Sequence, residues 1–180
     1  MSQQQSNNSN DNKEQLDRVI ESLNRVNSET KQIVFKMAQG MNEIEIVRSF
    51  NQKSCDLFTI LINLTKKYRR ENDYNVSGYK VLFENAIKIR ANLPVDKFTL
   101  MILEYAPEIY ERDENCFLKM TIPDKKVTLN NEFGVIRSEK FKDLWKVLVQ
   151  EDKENIADEV TLLTTFAHAY LYKTLLKNSN

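Results

Sequence analysis

Apolar side chains recur at helical spacing along almost the whole chain, and the residues that interrupt helices fall mostly between those stretches. In 180 residues there are only three glycines and three prolines. Glycine and proline are the two residues that cost a helix interior most, so their scarcity removes the commonest stops. Intervals of three and four between apolar residues then give each helix one oily and one wet face. The expected fold is therefore all-α: a single-domain bundle of about six or seven helices that bury their oily faces together.

The longest stretch covers 13–39. Leu16, Val19, Leu23, Val26, Thr30, Ile33 and Met37 follow a 3-4-3-4 spacing, with Ile20 and Val34 broadening the stripe. Two readings fit: an amphipathic core helix, or a coiled-coil seam of about three heptads. On the second, Leu16, Val19, Leu23 and Val26 are the candidate partner-binding residues. Before it, residues 1–12 are Gln, Asn and Ser with one Asp after Met1, which offers nothing to bury and is expected to be a disordered tail.

Further helices are expected at 42–50, at 55–70 with Ser54 as cap, at 79–91, and at 95–105 behind Pro94. Pro107 is expected to break or kink the last of these. The stretch 117–136 alternates weakly around Pro123-Asp124-Lys125, and a small β-hairpin or irregular insertion is expected there. Ser138 can cap a helix to 150. A final helix, 152–176, is apolar nearly all round in its second half and belongs at the centre of the bundle; 177–180 is a disordered end.

Composition narrows the function. The apolar fraction of 41% supports a real core, and the net charge of zero offers no global attraction to nucleic acid or to an anionic membrane. Cys55 and Cys116 belong to no metal-binding pattern and are expected to be thiols in a reducing compartment. No basic and apolar leader stands at the start, and the run 57–64 is too short for a bilayer, so a cytoplasmic protein without membrane contact is expected.

Sites that carry chemistry usually need glycines against a ligand or clustered His, Cys and carboxylates. Here the single histidine, His168, has only Thr164 and Tyr172 beside it on its helix face, which suits a packed histidine bonded to a hydroxyl. Trp145 sits at helical spacing from Phe141 and Leu148, as a core anchor would. Glu104, Glu108, Glu111, Asp113 and Glu114 lack the order of a calcium loop and form an acidic stretch that could face a basic stretch of the same or another copy. No catalytic, cofactor-binding or metal-ligating residue is assigned, and no small-molecule substrate is evident. A non-enzymatic interaction or assembly protein is expected, binding a protein partner or itself.

The alternative is nucleic-acid binding. Lys66, Lys67, Tyr68, Arg69 and Arg70 close one helix, and residues 51–90 hold eight cations against four anions. Clustered cations suit phosphates and a tyrosine ring can stack on a base, although cations at a helix C-terminus also answer the helix dipole. A helix-turn-helix over 42–70 is disfavoured because Ser54, Cys55, Asp56 and Leu57 occupy the place of base-reading residues.

The run Asn130-Asn131-Glu132-Phe133-Gly134-Val135-Ile136-Arg137-Ser138-Glu139-Lys140-Phe141-Lys142-Asp143-Leu144-Trp145 resembles segments in uncharacterised proteins of nucleocytoplasmic large DNA viruses. The Asn-, Lys- and Ile-rich composition is similar to that of AT-rich giant-virus genomes, and AT-rich protists give the same bias. The resemblance implies a role in infected cytoplasm or the virion and brings no site residues with it.

Overall fold

The computed structural model describes residues 2–120 and 138–178, and among them every regular element is helical. The elements are α1 (Ser2–Arg25), α2 (Ser28–Gly40), α3 (Glu43–Lys67), α4 (Glu71–Tyr74), α5 (Val76–Ile89) and α6 (Leu93–Met101). A 3-10 turn (Leu103–Tyr105) leads into α7 (Ala106–Tyr110), followed by α8 (Cys116–Lys119), α9 (Ser138–Val147) and α10 (Gln150–Asn178). Seven of these have nine residues or more, which is the expected all-α bundle; the others are single turns.

Several boundaries differ from the expectation, each for a local reason. The helix expected over 13–39 is two helices. Asn27 leaves helical geometry and its side chain accepts the Thr30 N–H at 2.8 Å, so a new helix starts where the heptad pattern would run on. In place of a disordered leader at 1–12, α1 already runs from Ser2, with neither glycine nor proline to stop it. Conversely, the helices expected at 42–50 and 55–70 are one. Ser54 does not cap; it is buried and donates to the Phe50 carbonyl at 2.9 Å, and the helix continues past it. Asn42 and Glu45 form a reciprocal capping box at the start of α3. Pro107 opens α7 rather than breaking a helix, since its missing N–H costs nothing in a first turn. No hairpin strand forms at the start of 117–136: Cys116–Lys119 is a helical turn, and 121–137 lies outside the described residues.

The long helices α3 and α10 run antiparallel as the axis, and two clusters of buried side chains lie along them. The first gathers Val19, Leu23 and Val26 of α1, Val34 of α2, Ile46 and Phe50 of α3, and Leu163 to Leu171 of α10. The Phe50 and Phe98 rings meet edge-on at 5.3 Å within it. The second gathers Leu61 and Leu64 of α3, Ile109 of α7, Cys116 of α8, Leu144, Trp145 and Leu148, and Ile156 and Val160 of α10. Each large apolar side chain buried in this way contributes roughly 1.5–3 kcal/mol.

Candidate functional site

The stripe expected to meet a partner is part of this core. Val19, Leu23 and Val26 are buried, and Leu16 packs against them. Polar residues flanking the stripe fasten it: Gln15 donates to Glu104 at 2.7 Å, the Ser22 hydroxyl donates to the Glu104 carbonyl, and Arg25 pairs with Glu108 at 3.7 Å. A seam over 13–39 needs a continuous helix, and the stripe is split between α1 and α2, its α1 part lying in the core and Ile33 of α2 exposed. The expectation that Leu16, Val19, Leu23 and Val26 bind a partner is corrected accordingly.

The basic run divides into two parts. Lys67, itself exposed, and half-buried Tyr68 reach the start of α10: Asp152 Oδ2 accepts from Lys67 Nζ at 2.7 Å and from the Tyr68 hydroxyl at 2.8 Å. The same hydroxyl accepts the Val149 N–H at 3.0 Å, so one tyrosine ties the end of α3 to the α9–α10 junction. Burial pushes the Asp152 carboxyl up, but the bonds from Lys67 and Tyr68 outweigh it and hold it below the usual carboxylate range. The hydrogen bond to Asp152 raises the Lys67 ammonium.

Lys66, Arg69 and Arg70 stay exposed. Arg69 has φ 54°, the left-handed conformation that usually selects glycine. Its N–H reaches the Lys66 carbonyl at 3.0 Å and the Arg70 N–H reaches the Thr65 carbonyl at 2.7 Å, a Schellman ending with arginine in the glycine position. α7 ends in the same way, with Arg112 at φ 55°. There the guanidinium is used internally, against Asp158 of α10. Lys66 and Arg69 meet no carboxylate among the described residues.

The junction between α9 and α10 lies between this basic end and the acidic stretch. Val147 and Val149 are 45% and 50% exposed, on either side of buried Leu148. Val149 touches Tyr68, while the adjacent Gln150 donates to Glu114 Oε1 at 2.7 Å. Trp145 adds a bond from its indole N–H to the Glu114 carbonyl at 3.1 Å. The junction is thus reached by Tyr68 of the basic run on one side and, through Gln150, by Glu114 of the acidic stretch on the other. Periodicity did not single out this surface, because two valines flanking a core leucine look like the end of any amphipathic helix.

His168 is a packed histidine, as its neighbours in sequence suggested. It has no exposed surface, its Nδ1 lies 3.3 Å from the Tyr110 hydroxyl, and Tyr172 packs on its ring with centroids 4.7 Å apart. Thr164 instead bonds back to the Val160 carbonyl. Burial lowers the His168 pKa to about 4, with the Lys31 cation adding to the effect. The two cysteines are free thiols, and burial pushes that of Cys116 up to about 12. Among the described residues, no three His, Cys, Asp or Glu side chains gather where a metal ion would fit, and no helix is long and apolar enough to cross a membrane.

No protein-family model matches the sequence, and no solved structure matches the fold. The chain is thus defined by its own geometry: an all-α bundle whose α9–α10 junction exposes two valines.

Proposed function

We propose that this is a non-enzymatic helical assembly protein that binds a second copy of itself through the α9–α10 junction. One observation carries the reading: the exposed Val147 and Val149 stand at a junction that Tyr68 of the basic run and Glu114 of the acidic stretch both reach. A surface with a small apolar centre and opposite charges at its two ends is self-complementary under a two-fold axis. Each basic end then meets the other copy's acidic end. Two half-exposed valines are a modest centre, so the contact is expected to be weak and salt-dependent. The working place that fits is the cytoplasm, or the virion if the chain is viral.

Light scattering over a range of protein concentrations tests this. The native chain is expected to approach dimer mass at low salt and to lose it as salt rises. Val147→Asp with Val149→Asp is expected to stay monomeric with an unchanged helical signal. A native chain that remains monomeric at high concentration and low salt overturns the reading.

Nucleic-acid binding remains as a second reading because Lys66 and Arg69 are exposed, with no carboxylate beside them among the described residues. It has lost two of its five residues, since Lys67 and Tyr68 are engaged by Asp152. It predicts retention on heparin at low salt that Lys66→Glu with Arg69→Glu abolishes; no retention rules it out.

A further inference from the structure

The heptad spacing over 13–39 runs through a break that nothing in the covalent chain requires. Between Asn24 and Lys31 there is neither glycine nor proline, and Val26 and Ile33 stand seven residues apart, on one face of any helix that continued. Local bonds end α1 and restart α2. Asn27 sits at φ −62° and ψ 154° with its side chain on the Thr30 N–H, and the Lys31 ammonium donates to the Asn24 carbonyl at 2.8 Å. A cap of this kind is lost by one substitution.

The two helices joined there have different partners. α1 packs chiefly on α6, the 3-10 turn and α7, whereas α2 packs chiefly on α10. The bonds of α1 go the same way: Gln15 and Ser22 to Glu104, and Arg25 to Glu108. None of these elements adjoins α1 in the chain, so the groove that holds α1 does not fix which chain α1 comes from. Ile33 is 56% exposed in this arrangement, although its place in the spacing is that of a buried residue. A continuous helix sets Ile33 in line with Val19 and Val26.

We infer that Asn27 is a hinge, and that α1 straightens onto α2 to fill the same groove of a second copy while that copy's α1 fills the first. The stripe stays a core stripe; what changes is whose core it completes. Every contact of α1 is kept in the exchange, so only the hinge and the cost of association separate the two forms. The same fact fixes the occupant, since the groove already fits α1. This contact is separate from the α9–α10 junction and does not depend on it.

The test uses chains carrying Val147→Asp and Val149→Asp, which removes the junction contact, so neither reading can stand in for the other. Asn27→Ala removes the cap and suits a continuous helix. Ser28→Pro does the reverse. Proline is accepted at the first position of α2 behind the extended Asn27, and it breaks a helix that runs through it. Arg25→Lys, added to every chain, lets a carbodiimide join residue 25 to Glu108. Heavy-isotope and ordinary chains are refolded together at high concentration, sized by light scattering and cross-linked. With Asn27→Ala, a dimer that high salt leaves intact is expected, with a mixed-isotope peptide joining 25 to 108. Each cap is roughly a fivefold change and a dimer has two hinges, so its dissociation constant is expected to lie about 25-fold below that of the Asn27 parent. With Ser28→Pro, a monomer without the mixed peptide is expected. If Asn27→Ala fails to fold, the mixed peptide must appear in the Asn27 parent and be suppressed by Ser28→Pro. The inference is overturned if Asn27→Ala folds and stays monomeric, if its dimer gives no mixed peptide, or if Ser28→Pro gives as much mixed peptide as the chains it is compared with.

Discussion

The two halves of the bundle share α3 and α10 but finish their surfaces differently. In the half built on α1, α2 and the C-terminal part of α10, the buried stripes meet face to face, polar residues beside them are drawn into bonds such as Gln15 to Glu104, and Ile33 and Phe35 are left exposed on α2. In the half built on α7, α8, α9 and the start of α10, the elements are short. They leave a cavity beside Trp145, two exposed valines, and carboxylates and cations at the rim. Long matched helices can close a core on themselves, whereas single turns cannot cover the space between two long helices. The α1 part of the longest apolar stripe, Val19, Leu23 and Val26, is spent in the core.

The largest expected effect breaks the comparison at its strongest point. Leu23→Asp puts an unpaired charge into the first cluster and is expected to cost more than about 4 kcal/mol, enough to unfold a domain of ordinary stability. Val149→Asp, in the exposed junction, is expected to change stability by less than about 0.5 kcal/mol. Urea unfolding of the two variants measures both. If Leu23→Asp stays folded, α1 does not belong to the core.

Acid provides the next largest effect, through His168 in the closed half. The His168 pKa is about 4 in the folded chain against 6.5 for an ordinary histidine, so below pH 6.5 the unfolded chain binds the proton that the folded one refuses. Stability contributed by the neutral ring is complete above pH 6.5. It falls with pH through that window and is fully lost below about 4, for a total of about 3 kcal/mol. Unfolding midpoints between pH 7 and 4 should therefore drop more steeply in the native chain than in His168→Gln. Equal slopes would show that the ring is not sealed from water.

The smallest effect separates the two left-handed arginines. Arg69→Gly relieves φ strain and removes no internal partner among the described residues, so it is expected to gain about 0.5–1 kcal/mol. Arg112→Gly gives up the pair with Asp158 as it relieves the same strain, and its net gain is expected to be smaller. Thermal midpoints of the two variants sharpen the contrast between an arginine used inside the fold and one left for contacts outside it.

The helical class and the central place of 152–176 were legible in the sequence because the apolar period of a helix is set by its own geometry. What a helix packs against is not. The stripe at Leu16, Val19, Leu23 and Val26 has the same spacing whether it meets another copy or α6 and α7, so only the tertiary structure decides between them. Asn27 looks like any polar residue until its side chain is seen on the Thr30 N–H. Ser54 reads as a cap because serine bonds locally to backbone in either direction, and here it bonds backward to Phe50. The basic run was visible as a run. That Lys67 and Tyr68 bind Asp152, 84 or 85 residues away, was not.

A charge-swap mixture tests the account most directly. Lys66→Glu with Arg69→Glu makes both ends of the junction surface acidic, and Glu111→Lys with Glu114→Lys makes both basic. At low salt each variant alone is expected to scatter light as a monomer, and the equimolar mixture is expected to form a 1:1 heterodimer that salt dissolves. A mixture that stays monomeric while the native chain dimerises would contradict the account, because it would place the contact somewhere other than the α9–α10 junction.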